Sequence, residues 1–314
     1  MGYNIAIVGA GISGMSTAYL LKKQGHNVTI YASSFSPHIT SNKAAAFWFP
    51  YHIRNDKRGI EWCNTTYKYY LHFAEDPNTG ISLRQLHKIL REHVAEEEPI
   101  WRDFMPNGCV RMMEPGELQP GVAKGYDIRV PLIETQLFLP WLMQQLKQAG
   151  VAFIAKKIEA LDELSSRYDV IVNCSALGAR ELCKDDQVIP VRGQVGLIAP
   201  GGDLPIYLDN EKPLYIVPRK DAIIIGGTYE INEEHAITEP ATIDRLLKTA
   251  YKVFPELAQH KVIGSWAGLR PYRKEVRVER ETGKNIVHNY GHGGSGFTLA
   301  FGCAETVCKL VQQV

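Results

Sequence analysis

The sequence predicts an α/β fold in which a parallel sheet of the nucleotide-binding kind is interleaved with a mainly antiparallel α+β sheet. Three observations predict it. Residues 3–31 read as strand, glycine turn, helix and strand; residues 168–174 (YDVIVNC) form the continuous apolar run of a buried parallel strand; and residues 188–199, 214–217, 222–229 and 274–281 partly alternate apolar with polar residues between glycine, proline and short charged links.

Each element has a local cause. Residues 3–8 are apolar and β-branched, glycines follow at 9, 11 and 14, and residues 12–24 carry apolar side chains at helical spacing until Gly25 stops them. Residues 27–31 then make a second strand, which completes a β-α-β unit of about thirty residues. In the stretch 82–98 the spacing of Leu83, Leu86, Leu90 and Val94 predicts an amphipathic helix, with Glu96 to Glu98 as its solvated end. Residues 134–148 read as a helix, 151–156 as a strand, and 299–311 as a closing helix. The expected division is discontinuous: residues 1–50, 132–190 and 264–314 in the nucleotide-binding domain, and 51–131 with 191–263 in a substrate domain.

Composition narrows the function. Thirty-five Lys and Arg against 34 Asp and Glu leave a net charge of +1, which gives no global field for nucleic acid or anionic membrane. Six cysteines contain no CxxC pair, and no histidine pair has metal-ligand spacing, so no metal is expected. No stretch reaches the roughly 20 apolar residues of a membrane span, and no signal-peptide core or C-terminal SKL is read, so a cytoplasmic location and a small-molecule partner are expected. The sequence sets no oligomeric state, and a homo-oligomer is compatible with it.

The chemistry concentrates in two glycine loops. Gly9, Gly11 and Gly14 form GxGxxG between strand and helix, where missing side chains let the backbone approach a pyrophosphate at the positive helix end. The acidic residue that normally holds a ribose about 20 residues later is absent; the second strand runs into Ser33 and Ser34 instead. That favours a dinucleotide gripped over its whole length over a mobile NAD. Near the C-terminus, NYGHGGSGFT places glycines at 291, 293, 294 and 296 before a helix, a second place for backbone to meet a ligand. Arg270 precedes Pro271, which biases it to extended backbone at a strand edge, and its planar guanidinium suits a bidentate carboxylate.

Several segments, in order along nearly the whole chain, resemble the D-amino-acid oxidase family: GAGISGMSTA (9–18), TSNKAAAFWFPY (40–51), VIVNCSALGA (170–179), VRGQV (191–195), YIVPR and IIGGTYE (215–230), WAGLRPYR (266–273) and HNYGHGGSGFT (288–298). The resemblance implies non-covalent FAD in a Rossmann-like domain. It places the cofactor against Gly9, Ala10, Gly11, Ile12, Ser13, Gly14 and Ser33 at the adenosine half, Thr40, Ser41, Ala46 and Phe47 along the middle, with Ser175 nearby, and His288, Gly293, Gly294, Gly296, Phe297 and Thr298 at the reacting end. For the substrate it implies Arg270 on the α-carboxylate, Tyr215 reinforcing that contact, and the Gly294 carbonyl on the amine. Phe49 stands where the animal enzymes carry a glutamine, which makes the pocket more apolar. A lid tyrosine is missing from its usual place, where Glu211 stands, and Tyr207 is the substitute on offer.

No Ser-His-Asp set, activated Cys or carboxylate pair is read, so no residue is assigned acid or base work. The resemblance implies oxidative deamination of a neutral D-amino acid by hydride transfer to flavin, with dioxygen as acceptor, giving a 2-oxo acid, ammonia and hydrogen peroxide. Glycine or sarcosine oxidase is the runner-up, with D-aspartate oxidase, for which Arg54 and Arg219 are the candidate second cations. An amine dehydrogenase with another electron acceptor is the third reading.

Overall fold

The computed structural model describes residues 2–91, 100–209 and 211–314. In chain order it runs β1 (Asn4–Val8), α1 (Ile12–Lys23), β2 (Asn27–Ala32), α2 (Lys57–Phe73), β3 (Ile81–Leu90), β4 (Val110–Met112), β5 (Lys124–Ile133), α3 (Thr135–Gln148), β6 (Ala152–Ala155), β7 (Val170–Asn173) and α4 (Ala179–Leu182). The second half continues β8 (Ile189–Ile198), β9 (Ile206–Asp209), β10 (Leu214–Pro218), β11 (Ile223–Gly226), β12 (Glu230–Ile231), α5 (Pro240–Val253), β13 (Val262–Arg280), β14 (Ile286–His292) and α6 (Gly296–Val311).

The parallel part has the order β14-β7-β1-β2-β6, with Ile5 opposite Val28 on one side and Val170 on the other. Ile5, Ile7 and Val172 face a core shared with Met15 and Leu21 of α1, Phe138 of α3 and Phe301 of α6. Parallel strands covered in this way read as uninterrupted apolar runs, which is why 168–174 was legible. The other strands pair as β4-β5-β3-β9-β10-β11-β8, antiparallel except for β3 on β9. Strand β13 joins the two parts. Its residues 262–272 pair with β8 and its later residues with β14, so one continuous sheet runs through the molecule.

One expectation changes. Residues 81–90 are a strand and not a helix, hydrogen-bonded to β5 over its full length and to β9. Three-residue spacing puts Leu83 and Leu86 on opposite faces of a strand, and only Leu86 of the two is buried. Val94 and Glu96 to Glu98 lie outside the described residues. Arg270 has the extended backbone expected of it, inside a 19-residue strand and paired there with Val191 of β8. The sequence assigned no element to α5, yet it is strongly two-sided: Ile243, Leu246, Leu247 and Ala250 are buried, and Pro240 opens its first turn.

Candidate active site

The first glycine turn uses each glycine differently. Gly9 has φ +116°, and a Cβ there would lie 2.2 Å from the Cys174 carbonyl oxygen at the end of β7. At Gly14 a Cβ would lie 1.9 Å from the Gly9 oxygen, so only glycine lets α1 settle on β1. Gly11 differs: its Cβ direction meets only the Ser41 hydroxyl, at 3.2 Å, and otherwise opens into a cavity. The Ile12 amide, one of the donors a helix start leaves unpaired, gives its hydrogen to Ser41 Oγ at 3.1 Å.

Residues 40–51 are pinned along this cavity by other elements. Trp266 Nε1 donates to the Lys43 carbonyl at 2.9 Å, and Arg219 Nη1 to the Ala44 carbonyl at 3.2 Å. At the far end Phe49 and Thr298 exchange hydrogen bonds, Oγ1 donating to the Phe49 carbonyl at 2.9 Å, and Tyr51 donates its amide to Ser295 Oγ at 3.3 Å. The strap is thereby fastened to the glycine loop before α6, which brings the two loops of the sequence to one cavity of about 510 Å³. A volume of that order suits an extended organic ligand.

At the inner end stands Arg270. Its Nη1 donates to the Thr228 carbonyl at 3.0 Å, and Gly193 lies flat against it: a Cβ there would be 2.2 Å from Nη2. Among the described residues no carboxylate comes within ion-pair distance of this guanidinium. Tyr215 packs its ring on Gly226 and Gly227, where a Cβ would come within 2.2 and 2.5 Å of ring carbons. Burial pushes the Tyr215 and Tyr51 hydroxyls up, while Arg270 pulls both back down. They stay protonated at neutral pH and can donate to an anion held by Arg270. His52 is lowered by burial and then by Arg270, and burial alone lowers His292 to about 4, so both rings are neutral there. Together these residues set one cation and two hydroxyl donors at a polar rim beside an apolar wall of Phe49 and Leu208.

Of the expected residues, Gly11, Ile12, Ser13, Thr40, Ser41, Ala46, Phe47, Phe49, Tyr215, Arg270, Gly293, Gly294, Gly296, Phe297 and Thr298 line this cavity. Gly9, Ala10 and Gly14 shape the turn behind it. Ser175 stands behind the wall between Cys174 and Ala176, which do line it, and its buried hydroxyl has no hydrogen-bond partner. Three placements depart from expectation. Tyr207 faces the opposite side of β9, edge-on to Phe254 at 5.2 Å, because its neighbour Leu208 is the residue aligned with Tyr215. Ser33 is exposed just past β2, away from the lining. The His288 ring points away from the cavity, Nε2 lying 3.1 Å from Glu281. Tyr51, His52, Thr228 and Gly193 were not singled out, although the quoted segments contain all but His52.

The profile of the family described as FAD dependent oxidoreductase matches residues 4–310. The chain belongs to that family. As an FAD-dependent oxidoreductase it is 38% identical over 310 residues to the D-amino-acid oxidase of Rubrobacter xylanophilus, covering 97% of this chain and 94% of that one. It is 35% identical to the D-amino-acid oxidase of Dictyostelium discoideum, covering 99% and 92%. Among solved structures it shares its fold with glycine oxidase from Geobacillus kaustophilus, with a TM-score of 0.83, 18% identity and coverage of 99% and 95%. Among the described residues no helix is long and apolar enough to cross a membrane.

Proposed function

We propose that this FAD-dependent oxidoreductase is a D-amino-acid oxidase, which deaminates a neutral D-amino acid to its 2-oxo acid and ammonia and passes the electrons to dioxygen as hydrogen peroxide. The observation that carries this reading is Arg270: a permanent cation in the wall of a large cavity, without a carboxylate partner among the described residues. A substrate carboxylate completes it with two parallel charge-assisted hydrogen bonds.

The cavity fits FAD. Gly11 opens onto it at the α1 N-terminus, where backbone amides and the helix dipole favour a pyrophosphate, and the Ser175 hydroxyl waits unpaired behind the wall. When bound, the flavin supplies the two-electron acceptor that no side chain provides. Gly11 to Ser13 hold the pyrophosphate, Thr40, Ser41 and residues 44–47 lie along the middle, and Gly293, Gly294, Gly296 and Thr298 border the reacting end. Arg270, Tyr215 and Tyr51 take the carboxylate and fix the orientation of Cα, the Gly294 carbonyl accepts from the amine, and Phe49 with Leu208 excludes water. The strands β14-β7-β1-β2-β6 then serve as cofactor domain and the antiparallel strands as substrate domain.

The candidate second cations for D-aspartate do not line this cavity. Arg219 is buried and paired with Asp221 at 2.6 Å, and Arg54 is exposed beside Glu275. The test is peroxide release by the flavin-loaded protein with D-amino acids, L-enantiomers, glycine and sarcosine. Peroxide from neutral D-enantiomers alone is expected. Dye reduction without peroxide assigns a dehydrogenase, and activity on glycine or sarcosine only assigns the runner-up.

A further inference from the structure

His288 and Asn289 are neighbours on β14 and point to opposite faces. Asn289 donates to Thr17 Oγ1 at 3.1 Å on the cavity side, while His288 turns to a second group of polar side chains that the flavin reaction does not use. Cys183, just past α4, lies there with Sγ 3.8 Å from His288 Nδ1. The other ring nitrogen, Nε2, is 3.1 Å from Glu281 Oε2. A carboxylate only accepts, so Nε2 carries the hydrogen and Nδ1 presents its lone pair to the thiol. Asn173 Nδ2 donates to Sγ at 3.0 Å, and that amide cannot be turned over, because its Oδ1 accepts from the Ser175 amide at 3.1 Å. Thiol, imidazole base, orienting carboxylate and a fixed donor to sulfur form the arrangement that activates a nucleophile.

The other thiols lack this setting. Cys63, Cys174, Cys303 and Cys308 are buried, whereas Cys183 is half-buried. Cys109 is also half-buried, but among the described residues neither histidine nor carboxylate lies against it. Burial raises the Cys183 thiol and lowers His288, so the pair rests as thiol and neutral imidazole, and the proton moves to Nδ1 only as the sulfur attacks.

We propose that Cys183 is a modification site, a thiol that hydrogen peroxide oxidises to sulfenic acid with His288 as its base. The functional reading above enters only as the source of the oxidant. His288 Nδ1 takes the thiol proton as sulfur attacks one peroxide oxygen. The S–O bond forms and the O–O bond breaks, sulfur loses two electrons to the peroxide, and the departing hydroxide collects the proton from His288 and leaves as water. Asn173 steadies the negative sulfur during the attack.

The experiment exposes the full-length, flavin-loaded protein to added hydrogen peroxide with no amino acid present, traps sulfenic acid with dimedone, and follows each cysteine peptide by mass spectrometry. The Cys183 adduct is expected to form at least about tenfold faster than the Cys109 adduct in the same molecule, and His288→Gln is expected to slow it by about tenfold or more. Equal or faster labelling of Cys109, or an unchanged rate in His288→Gln, overturns the proposal. Should that variant fail to fold, Glu281→Leu decides, since loss of the acceptor that holds Nε2–H must also slow the reaction. A parallel arm replaces added peroxide with D-alanine. Labelling by added peroxide but not by D-alanine leaves this site standing and counts against the oxidase reading.

Discussion

Arg270 brings a full charge to the cavity wall, and its neighbours leave that charge for a ligand. Thr228 takes one N–H through its carbonyl, and Gly193 contributes only the absence of a side chain. Arg270→Ala should therefore lower kcat/KM for the best D-amino acid by about two to three orders of magnitude, with flavin content unchanged. Gly193→Ala should act in the same direction through KM, because its methyl group occupies the place of Nη2 while the backbone there accepts any residue. Steady-state oxygen uptake against substrate concentration checks both; near-normal kinetics in Arg270→Ala would remove Arg270 from the carboxylate site, and in Gly193→Ala would mean that the guanidinium moves aside and keeps its ligand. At this scale the sequence was most legible where a residue type has one use. The glycines of GxGxxG form a turn at the cavity, and Arg270, singled out by the family resemblance, stands in its wall. Which face of a strand a side chain takes was not legible: Tyr207 and His288 are each one residue away from positions that do line the cavity, and a one-residue step reverses the face.

Elements carry the site by being locked to each other. Helix α6 begins at the second glycine loop and lies against α2 so closely that a Cβ at Gly302 would sit 2.3 Å from both the Cα and the carbonyl oxygen of Trp62. Alanine improves helix propensity by about 1 kcal/mol, but the overlap here is with backbone, which cannot swing aside, so overpacking wins. Gly302→Ala should destabilise the protein by about 1–3 kcal/mol and loosen the strap at residues 49–51 that Ser295 and Thr298 hold. Thermal unfolding and flavin retention measure the two effects, and an unchanged melting temperature would show that the helices can separate at no cost. Strands β1 and β7 were readable because burial on both faces leaves unbroken apolar runs. Strand β3 was not, because Leu83, Leu86 and Leu90 imitate a helical stripe and because the buried Lys88 interrupts the alternation that marks a strand.

Across the whole molecule, buried histidines couple stability to pH. His292 falls to about 4 in the folded protein from the ordinary 6.5, and burial lowers His26, His87 and His288 in the same direction. A depressed histidine is neutral in the fold and takes up a proton on unfolding, so the unfolded state binds more protons between the two values and stability rises with pH across that window. The contribution is complete above pH 6.5 and is lost as the pH falls to about 4; for His292 alone it amounts to about 3 kcal/mol. Carboxylates held low by ion pairs, such as Asp185 beside Tyr290 and Arg273, lose their contribution at lower pH than most of this range. With FAD kept saturating at each pH, so that cofactor binding does not vary, the melting temperature should drop by roughly 5 °C or more between pH 6.5 and pH 4.5. His292→Gln keeps a donor for Asn289 and cannot take the proton, so its melting temperature should fall less steeply over the same interval whatever its value at pH 7. Equal slopes in the two proteins would mean that the His292 ring is already solvated, or already charged, in the folded state.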